Sequence, residues 1–112
     1  MEFIDALRSL NVSRNVAGLI TYLANTNEAT SRQIETGTNL RQPEVSIAMR
    51  TLRQNNWIDE RDVKAEGKGR PTKVYKLRVP IQEIIHHYEM EKNSETAKTM
   101  QAIQRLKDIA AS

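Results

Sequence analysis

The chain has 112 residues, of which 38% are hydrophobic and 28% charged, which fits one soluble globular domain and leaves little room for a second. The absence of cysteine excludes disulfide bonds and thiolate metal sites, and it agrees with a cytoplasmic location. The apolar runs are only a few residues long and the N-terminus is acidic. We therefore expect neither a membrane-spanning helix nor a secretory signal.

The positive charge is concentrated in the middle of the sequence. The segment Arg32–Arg78 has eleven basic and six acidic residues, a balance of +5, whereas the segments before and after it each have a balance of −1. Side chains that only meet water would be spread more evenly along the chain. Such a concentration is typical of a protein that binds a polyanion.

Two amphipathic helices are predicted at the start of the chain. The first, over residues 2–10, is indicated by four apolar residues at helical spacing, Phe3, Ile4, Leu7 and Leu10. Ser13 is placed to cap the second, over about 14–25. The first helix has no obvious partner inside the domain, so we expect it to pack at a subunit interface.

A helix-turn-helix pattern follows. Thr30 and Gln33 match a capping box, which begins a short helix that buries Ile34 and is expected to end at Gly37. Pro43 lies at the first turn of the next helix, where the missing amide has no cost. That helix has four inward-facing residues, Val45, Ala48, Met49 and Leu52.

The apolar period shortens to about two residues after this helix, which predicts strands over Ile58–Val63 and Lys73–Leu77. Lys64–Thr72 connects them as a basic loop with glycines. Beyond Pro80 the pattern is helical again, and either one long helix or two helices fit it. The fold class is thus α+β and mainly α: a winged helix-turn-helix with a two-stranded basic wing and terminal dimerisation helices. We divide it into a DNA-binding domain, 1–79, and a dimerisation segment, 80–112.

The helix after the turn is the candidate recognition helix. With its apolar stripe inward, a rotation of about 100° per residue turns four residues outward, Pro43, Ile47, Arg50 and Gln54. Ser46 and Arg53 flank this face. Arg50 suits guanine or a phosphate, Gln42 suits adenine, Ser46 suits a phosphate, and Ile47 suits a thymine methyl group. The alternative is an ordinary helix face in contact with water.

The predicted wing, Lys64–Arg78, has six basic residues against Glu66 as its one acidic residue. These cations would repel one another unless a partner neutralised them, and each phosphate contact would add a salt-dependent increment to affinity. Gly69-Arg70-Pro71 resembles the core of AT-hook peptides, in which an arginine lies in the narrow minor groove of A·T-rich DNA. The alternative is a plain hairpin with lysines in water.

Residues for catalysis or metal binding are not indicated. His86 and His87 are adjacent, so on a helix they point about 100° apart and do not clamp one metal as i,i+4 residues do. No phosphate-binding loop or nucleophile motif is present in the sequence. We therefore expect neither an enzyme nor a cofactor.

The terminal helices indicate a dimer. The C-terminal part has a second apolar stripe beyond what one small core needs, Met100, Ile103, Leu106 and Ile109. Packing of this stripe and of the N-terminal helix across a two-fold axis would place two recognition helices about one DNA turn apart. The alternative is that both helices fold back on their own domain.

The segment Ser31–Leu52 resembles the helix-turn-helix of prokaryotic winged-helix regulators of the ArsR, MarR and TrmB types. Trp57-Ile58 resembles the point at which these proteins enter the wing, and Gly67–Leu77 resembles their wing hairpin. The resemblance covers about residues 13–79, and the Gly69-Arg70-Pro71 wing indicates an archaeal source. The cysteine pair of the metal sensors and the sugar-binding domain of TrmB-type proteins are missing from the sequence, so the resemblance does not extend to effector sensing.

By this resemblance the recognition helix enters the major groove, and the wing contacts the DNA backbone or minor groove. The predicted DNA-binding residues are Arg32, Gln42, Pro43, Ser46, Ile47, Arg50, Arg53, Lys68, Arg70 and Lys73. The sequence thus predicts a homodimeric, sequence-specific transcriptional regulator that binds double-stranded DNA. Its rivals are a protein-interaction module of transcription or chromosome machinery with weak DNA binding, and a regulator that responds to a small molecule.

Overall fold

Five helices and three strands make up the part of the chain that the structure, a computed structural model, describes, which is residues 2–64 and 71–112. The helices are α1 (Glu2–Ser9), α2 (Arg14–Ala24), α3 (Ser31–Thr38), α4 (Gln42–Gln54) and α5 (Ile81–Ala111). The strands are β1 (Ala29–Thr30), β2 (Ile58–Val63) and β3 (Thr72–Leu77). This order and the small sheet confirm the predicted winged helix-turn-helix.

Side-chain caps fix where α2 and α3 begin. The Ser13 hydroxyl accepts a hydrogen bond from the Val16 amide at 3.3 Å. At α3 the Thr30 hydroxyl accepts from the Gln33 amide at 3.2 Å, and the Gln33 side chain accepts from the Thr30 amide at 2.9 Å. Each cap satisfies an amide that has no partner inside its helix, so both predicted caps are confirmed.

The predicted end of α3 at Gly37 is wrong. The helix continues to Thr38, and the left-handed conformation belongs to Asn39, with φ of 58°. Asparagine adopts this conformation more readily than most residues, so it ends the helix in place of a glycine. Gly37 instead packs against α2: a Cβ at this position would lie 2.1 Å from Cε1 of Tyr22.

The sheet has three antiparallel strands in the order β1-β3-β2. β2 and β3 form the predicted hairpin, with a register that runs from Ile58 opposite Leu77 to Val63 opposite Thr72. The sequence did not indicate β1, whose two residues pair with Tyr75 and Val74 of β3. A strand of two residues is too short to show an alternating pattern, and its pairing with β3 depends on the tertiary fold.

The core of the unit that ends at Ile81 lies between the helices and the sheet. α2 packs against α1, α3 and α4. The predicted inward stripe of α4 is confirmed, since all four of its residues are at most 5% exposed, Val45, Ala48, Met49 and Leu52. Trp57, directly before β2, is 4% exposed.

Helix α1 has a partner inside this unit, contrary to the expectation from the sequence. It packs against α2, and Leu7 is only 2% exposed. Phe3 and Ile4 are half-buried. A single turn of backbone connects the two helices, where the Val12 amide bonds the Leu7 carbonyl at 3.3 Å. The apolar stripe of α1 therefore contributes to the core of its own chain.

The C-terminal segment is one continuous helix of 31 residues. Contacts within the chain assign Gln82–Ser112 to a unit of its own. Every residue from Asn93 to Ala111 is exposed, including four large apolar side chains that are 42–67% exposed, Met100, Ile103, Leu106 and Ile109. Across residues 2–64 and 71–112, none of the helices combines the length and apolar character that crossing a membrane requires.

Candidate nucleic-acid interface

Helix α4 presents to solvent one face that has both polar and apolar side chains. Opposite its buried stripe, Pro43, Arg50 and Gln54 are exposed, and Ile47 is 64% exposed. Ser46 and Arg53, at the edges of this face, are exposed as well. The outward orientation predicted from helical spacing is therefore confirmed for all six residues.

The first turn of α4 links two of the predicted site residues. The Gln42 Nε2 donates a hydrogen bond to the Ser46 Oγ at 2.9 Å. This bond restrains the Gln42 amide, and leaves the Gln42 Oε1 as an acceptor on the exposed face. Neighbouring Arg41 is exposed at the start of the helix, where its amide donates to Glu44 Oε1 at 2.9 Å. Arg41 is absent from the predicted set, although its place just before Gln42-Pro43 in the sequence would have indicated it.

Arg32 lies exposed in the first turn of α3, the helix that packs against both α2 and α4. The backbone carbonyl of Arg32 accepts a hydrogen bond from the Thr36 hydroxyl at 3.1 Å. Arg32 is therefore on the helix that precedes the recognition helix, and its side chain is exposed. In helix-turn-helix proteins this first helix crosses the DNA backbone.

Arg53 and Lys73 come together on one carboxylate. The Arg53 Nε donates to Glu60 Oε1, and the Lys73 Nζ lies 3.6 Å from Glu60 Oε2. The hydrogen bond with Glu60 is the largest cause that raises the pKa of the Arg53 guanidinium, whereas partial burial opposes it. Helix α4 and strand β3 are therefore joined at this point through β2.

Other cations near the wing also have acidic or polar partners. Arg61 donates to both oxygens of Glu28 at 2.7 and 2.8 Å. Arg78 lies 3.9 Å from Asp59 and donates to Asn56 Oδ1 at 3.3 Å. Glu66 is the one acidic residue within Lys64–Arg78, but the fold brings further carboxylates from outside this segment. β2 supplies carboxylates to Lys73 and Arg78, so these two charges are partly neutralised without a bound partner.

The tip of the wing lies outside the described residues. Lys68 and Arg70, two of the predicted DNA-binding residues, fall in 65–70, together with Gly69 of the Gly69-Arg70-Pro71 motif. Lys64 and Pro71, which flank this range, are exposed.

The two histidines lie on α5 with separate acidic neighbours. His86 Nδ1 lies 3.7 Å from Glu89, and His87 Nε2 lies 3.2 Å from Glu91. Within residues 2–64 and 71–112, no three histidine, aspartate or glutamate side chains are grouped so as to hold a metal ion.

The described site residues thus form two groups. Gln42, Ser46, Ile47 and Arg50 share the exposed face of α4, whereas Arg53 and Lys73 meet at Glu60. The first group combines an amide, a hydroxyl, a methyl-rich side chain and a guanidinium, which are the groups that read base edges in DNA. The second group contains a guanidinium and an ammonium, which are groups that contact phosphates in protein–DNA complexes. Glu60 is not indicated by the sequence, because its contacts depend on the register of the β2–β3 hairpin.

Comparison with known proteins identifies the fold. No family model and no curated protein matches the sequence. Among solved structures, a possible transcriptional regulator from Methanosarcina mazei Go1 superimposes with a TM-score of 0.61 at 16% identity, over 88% of this chain and 80% of that one. A MarR family regulator from Neisseria meningitidis gives a TM-score of 0.52 at 15% identity, over 95% and 83%.

The archaeal chromatin protein TrmBL2 is also similar, with a TM-score of 0.67 at 12% identity. The similarity covers 96% of this chain but only 38% of TrmBL2, so the chain matches one part of that protein. At these identities the shared property is the fold. The structural neighbours confirm that this chain shares the winged-helix fold of regulators of the MarR and TrmB types.

Proposed function

We propose that this chain is a sequence-specific transcriptional regulator that binds double-stranded DNA as a homodimer. The observation that carries the proposal is the exposed face of α4, on which Ile47 is 64% exposed between Ser46 and Arg50. Exposing an isoleucine side chain to water costs free energy, and contact with an apolar group on a partner would recover it. A major groove supplies both thymine methyl groups and hydrogen-bond acceptors.

Base recognition belongs to the exposed face of α4 between Gln42 and Arg50. Arg50 donates to guanine or to a phosphate, Gln42 pairs with adenine, and Ile47 contacts a thymine methyl group. Pro43 lies exposed in the first turn of α4, which is the end of the helix that enters the groove in this proposal. The hydrogen bond from Gln42 to Ser46 supports this assignment, because a restrained amide loses less entropy when it meets a base.

Backbone contacts come from the residues around this face. Arg32, Arg53 and Lys73 contact phosphates, and Lys68 and Arg70 of the wing lie on the backbone or in the minor groove. Each phosphate contact releases counterions, so the affinity should fall steeply as salt is added. Residues 1–79 form the DNA-binding domain in this proposal, and residues 80–112 form the dimerisation segment.

The exposed C-terminal half of α5 supports the dimer. Isolated helices are marginal in water, and most helical stability in proteins comes from packing of an apolar face. Within this half, alternating spacings of three and four residues connect two large apolar side chains, Ile103 and Leu106, to Ala110 on one side and to Thr99 and Thr96 on the other. This is the spacing of a coiled-coil seam, so a second copy of α5 is the partner that we propose.

Selection of bound sequences from random duplex DNA tests the proposal. We expect one enriched sequence, approximately palindromic, with half-sites about one helical turn apart. The enriched duplex should bind at least about 10³-fold more tightly than a scrambled duplex of the same length, at near-physiological salt. A pool with no enriched sequence after repeated rounds would contradict sequence-specific binding.

A protein-interaction module is the second candidate, because the exposed Ile47 would also suit an apolar pocket on a protein. The two candidates differ in their dependence on salt. Binding of DNA through phosphates weakens steeply with salt, whereas an apolar protein contact does not. Weak binding to every duplex, equal for selected and scrambled sequences, would favour this second candidate.

A further inference from the structure

The carboxylate of Glu60 on β2 pairs with two cations, one on the recognition helix and one on the wing. Glu60 Oε1 accepts from Arg53 of α4, and Glu60 Oε2 lies 3.6 Å from the ammonium of Lys73 on β3. The Glu60 side chain is 23% exposed, whereas those of Arg53 and Lys73 are 46% and 54% exposed. The cations therefore face solvent more than the carboxylate does, and an incoming anion reaches them first.

The contacts of Glu60 imitate those of a phosphate. Carboxylate and phosphate oxygens accept the same charge-assisted hydrogen bonds from guanidinium and ammonium groups. A DNA phosphate that engages Arg53 and Lys73 fully must therefore replace the carboxylate, which then lies close to a like charge. Ion pairs between exposed side chains contribute little to folding, so stability does not account for this arrangement.

We propose that Glu60 competes with the DNA phosphate for Arg53 and Lys73, and thereby limits non-specific binding. The inference rests on the proposed function above. Non-specific affinity comes almost entirely from phosphate contacts, so a carboxylate that holds two cations lowers it directly. At the specific site the base contacts of α4 supply additional free energy, which offsets the exchange of carboxylate for phosphate.

Asp62 provides a matched control. It lies two residues after Glu60, on the same side of β2, and directly opposite Lys73 in the hairpin register. Asp62→Asn removes one negative charge from nearly the same place as Glu60→Gln, but it leaves the carboxylate between Arg53 and Lys73. A difference in binding between the two variants thus reports the pairing of Glu60 with Arg53 and Lys73, and not the change in net charge.

The test is non-specific duplex binding and retention on heparin-agarose across a series of salt concentrations. We expect Glu60→Gln to bind several-fold more tightly than Asp62→Asn, with a slope of log affinity against log salt that is steeper by about 0.9 for each cation released. Adding Arg53→Ala or Lys73→Ala to Glu60→Gln should reduce this gain, and adding both should remove it. Equal affinities and slopes for Glu60→Gln and Asp62→Asn would overturn the proposal, as would weaker binding by Glu60→Gln.

The outcomes separate this inference from the proposed function. If no duplex sequence is enriched but heparin still retains Glu60→Gln more strongly than Asp62→Asn, the competition stands and sequence-specific regulation fails. If a specific site exists and the two variants behave alike, only the competition fails. Thermal unfolding shows whether Glu60→Gln is folded, and Glu60→Asp, which withdraws the carboxylate by one methylene, should shift binding in the same direction.

Discussion

Tyr22 of α2 and Gly37 of α3 fit together so closely that a side chain at position 37 would overlap the Tyr22 ring. A Cβ on Gly37 would lie 2.1 Å from Cε1 and 2.6 Å from Cδ1 of Tyr22, well below the 3.0 Å that real Cβ contacts observe. The other glycine inside a described helix, Gly18, differs. A Cβ there would have no atom within 4 Å.

These two glycines should respond oppositely to alanine. Gly37→Ala forces the Tyr22 ring to move and should lower the free energy of unfolding by about 1–3 kcal/mol, as overpacking does. Gly18→Ala meets open space and should raise the free energy of unfolding by about 0.5–1 kcal/mol, because alanine favours the helix. Urea denaturation followed by circular dichroism measures both.

The Tyr22→Ala background is the control for this pair. Without the ring, Gly37→Ala should cost nothing and should stabilise α3 slightly. A penalty of unchanged size in that background would mean that the ring is not the obstacle.

The capping box of α3 gives a second prediction. Thr30→Ala removes the acceptor of the Gln33 amide and should lower the free energy of unfolding by about 0.5–2 kcal/mol. Thr36→Ala, in the same helix, removes only a hydroxyl that bonds a backbone carbonyl at the surface, and should change it by at most about 0.5 kcal/mol. Similar losses for the two variants would argue against the cap.

Ile47 lies on the exposed face of α4 and Leu52 on the buried face. Substitutions at these two residues should therefore affect DNA binding and folding separately. Leu52→Ala should lower the free energy of unfolding by about 2–5 kcal/mol, because Leu52 is completely buried. Ile47→Ala should leave stability within about 0.5 kcal/mol of the parent and weaken binding to the selected duplex. A large loss of stability from Ile47→Ala would assign this residue to packing.

The apolar stripe of α5 gives a prediction about assembly. Sedimentation at micromolar concentration should give about twice the chain mass of 12.8 kDa for the parent and about 12.8 kDa for Leu106→Glu, because a charge in a coiled-coil seam opposes pairing. Gln101→Glu adds the same charge on the opposite side of α5 and should remain a dimer. A parent protein that sediments as a single chain would contradict the dimer.

Features that depend on neighbours in the sequence were predicted well. Ser13 and the Thr30–Gln33 box begin their helices as expected, since a cap needs only residues within one turn. The inward stripe of α4 and the two hairpin strands follow from periodicity alone. The exposed face of α4 follows from the same periodicity, because it lies opposite the buried stripe.

Features that depend on distant residues could not be predicted. Gly37 has its role because Tyr22 of another helix packs over it, and β1 exists because β3 is beside it. Glu60 joins Arg53 to Lys73 only once α4, β2 and β3 are assembled in one register. Local sequence patterns indicate the cations Arg53 and Lys73, but they do not indicate that Glu60 pairs with both.

Arg50→Ala, measured on the selected duplex, tests the central claim most directly. Arg50 is exposed at the middle of the α4 face, and Arg8→Ala on α1 is the matched control because it removes an exposed arginine outside the proposed interface. A bidentate base contact accounts for about 1–3 kcal/mol, so Arg50→Ala should raise the dissociation constant by about 5- to 150-fold. Arg8→Ala should change it by less than about twofold. Equal effects of the two variants, with both proteins folded, would contradict recognition of DNA by α4.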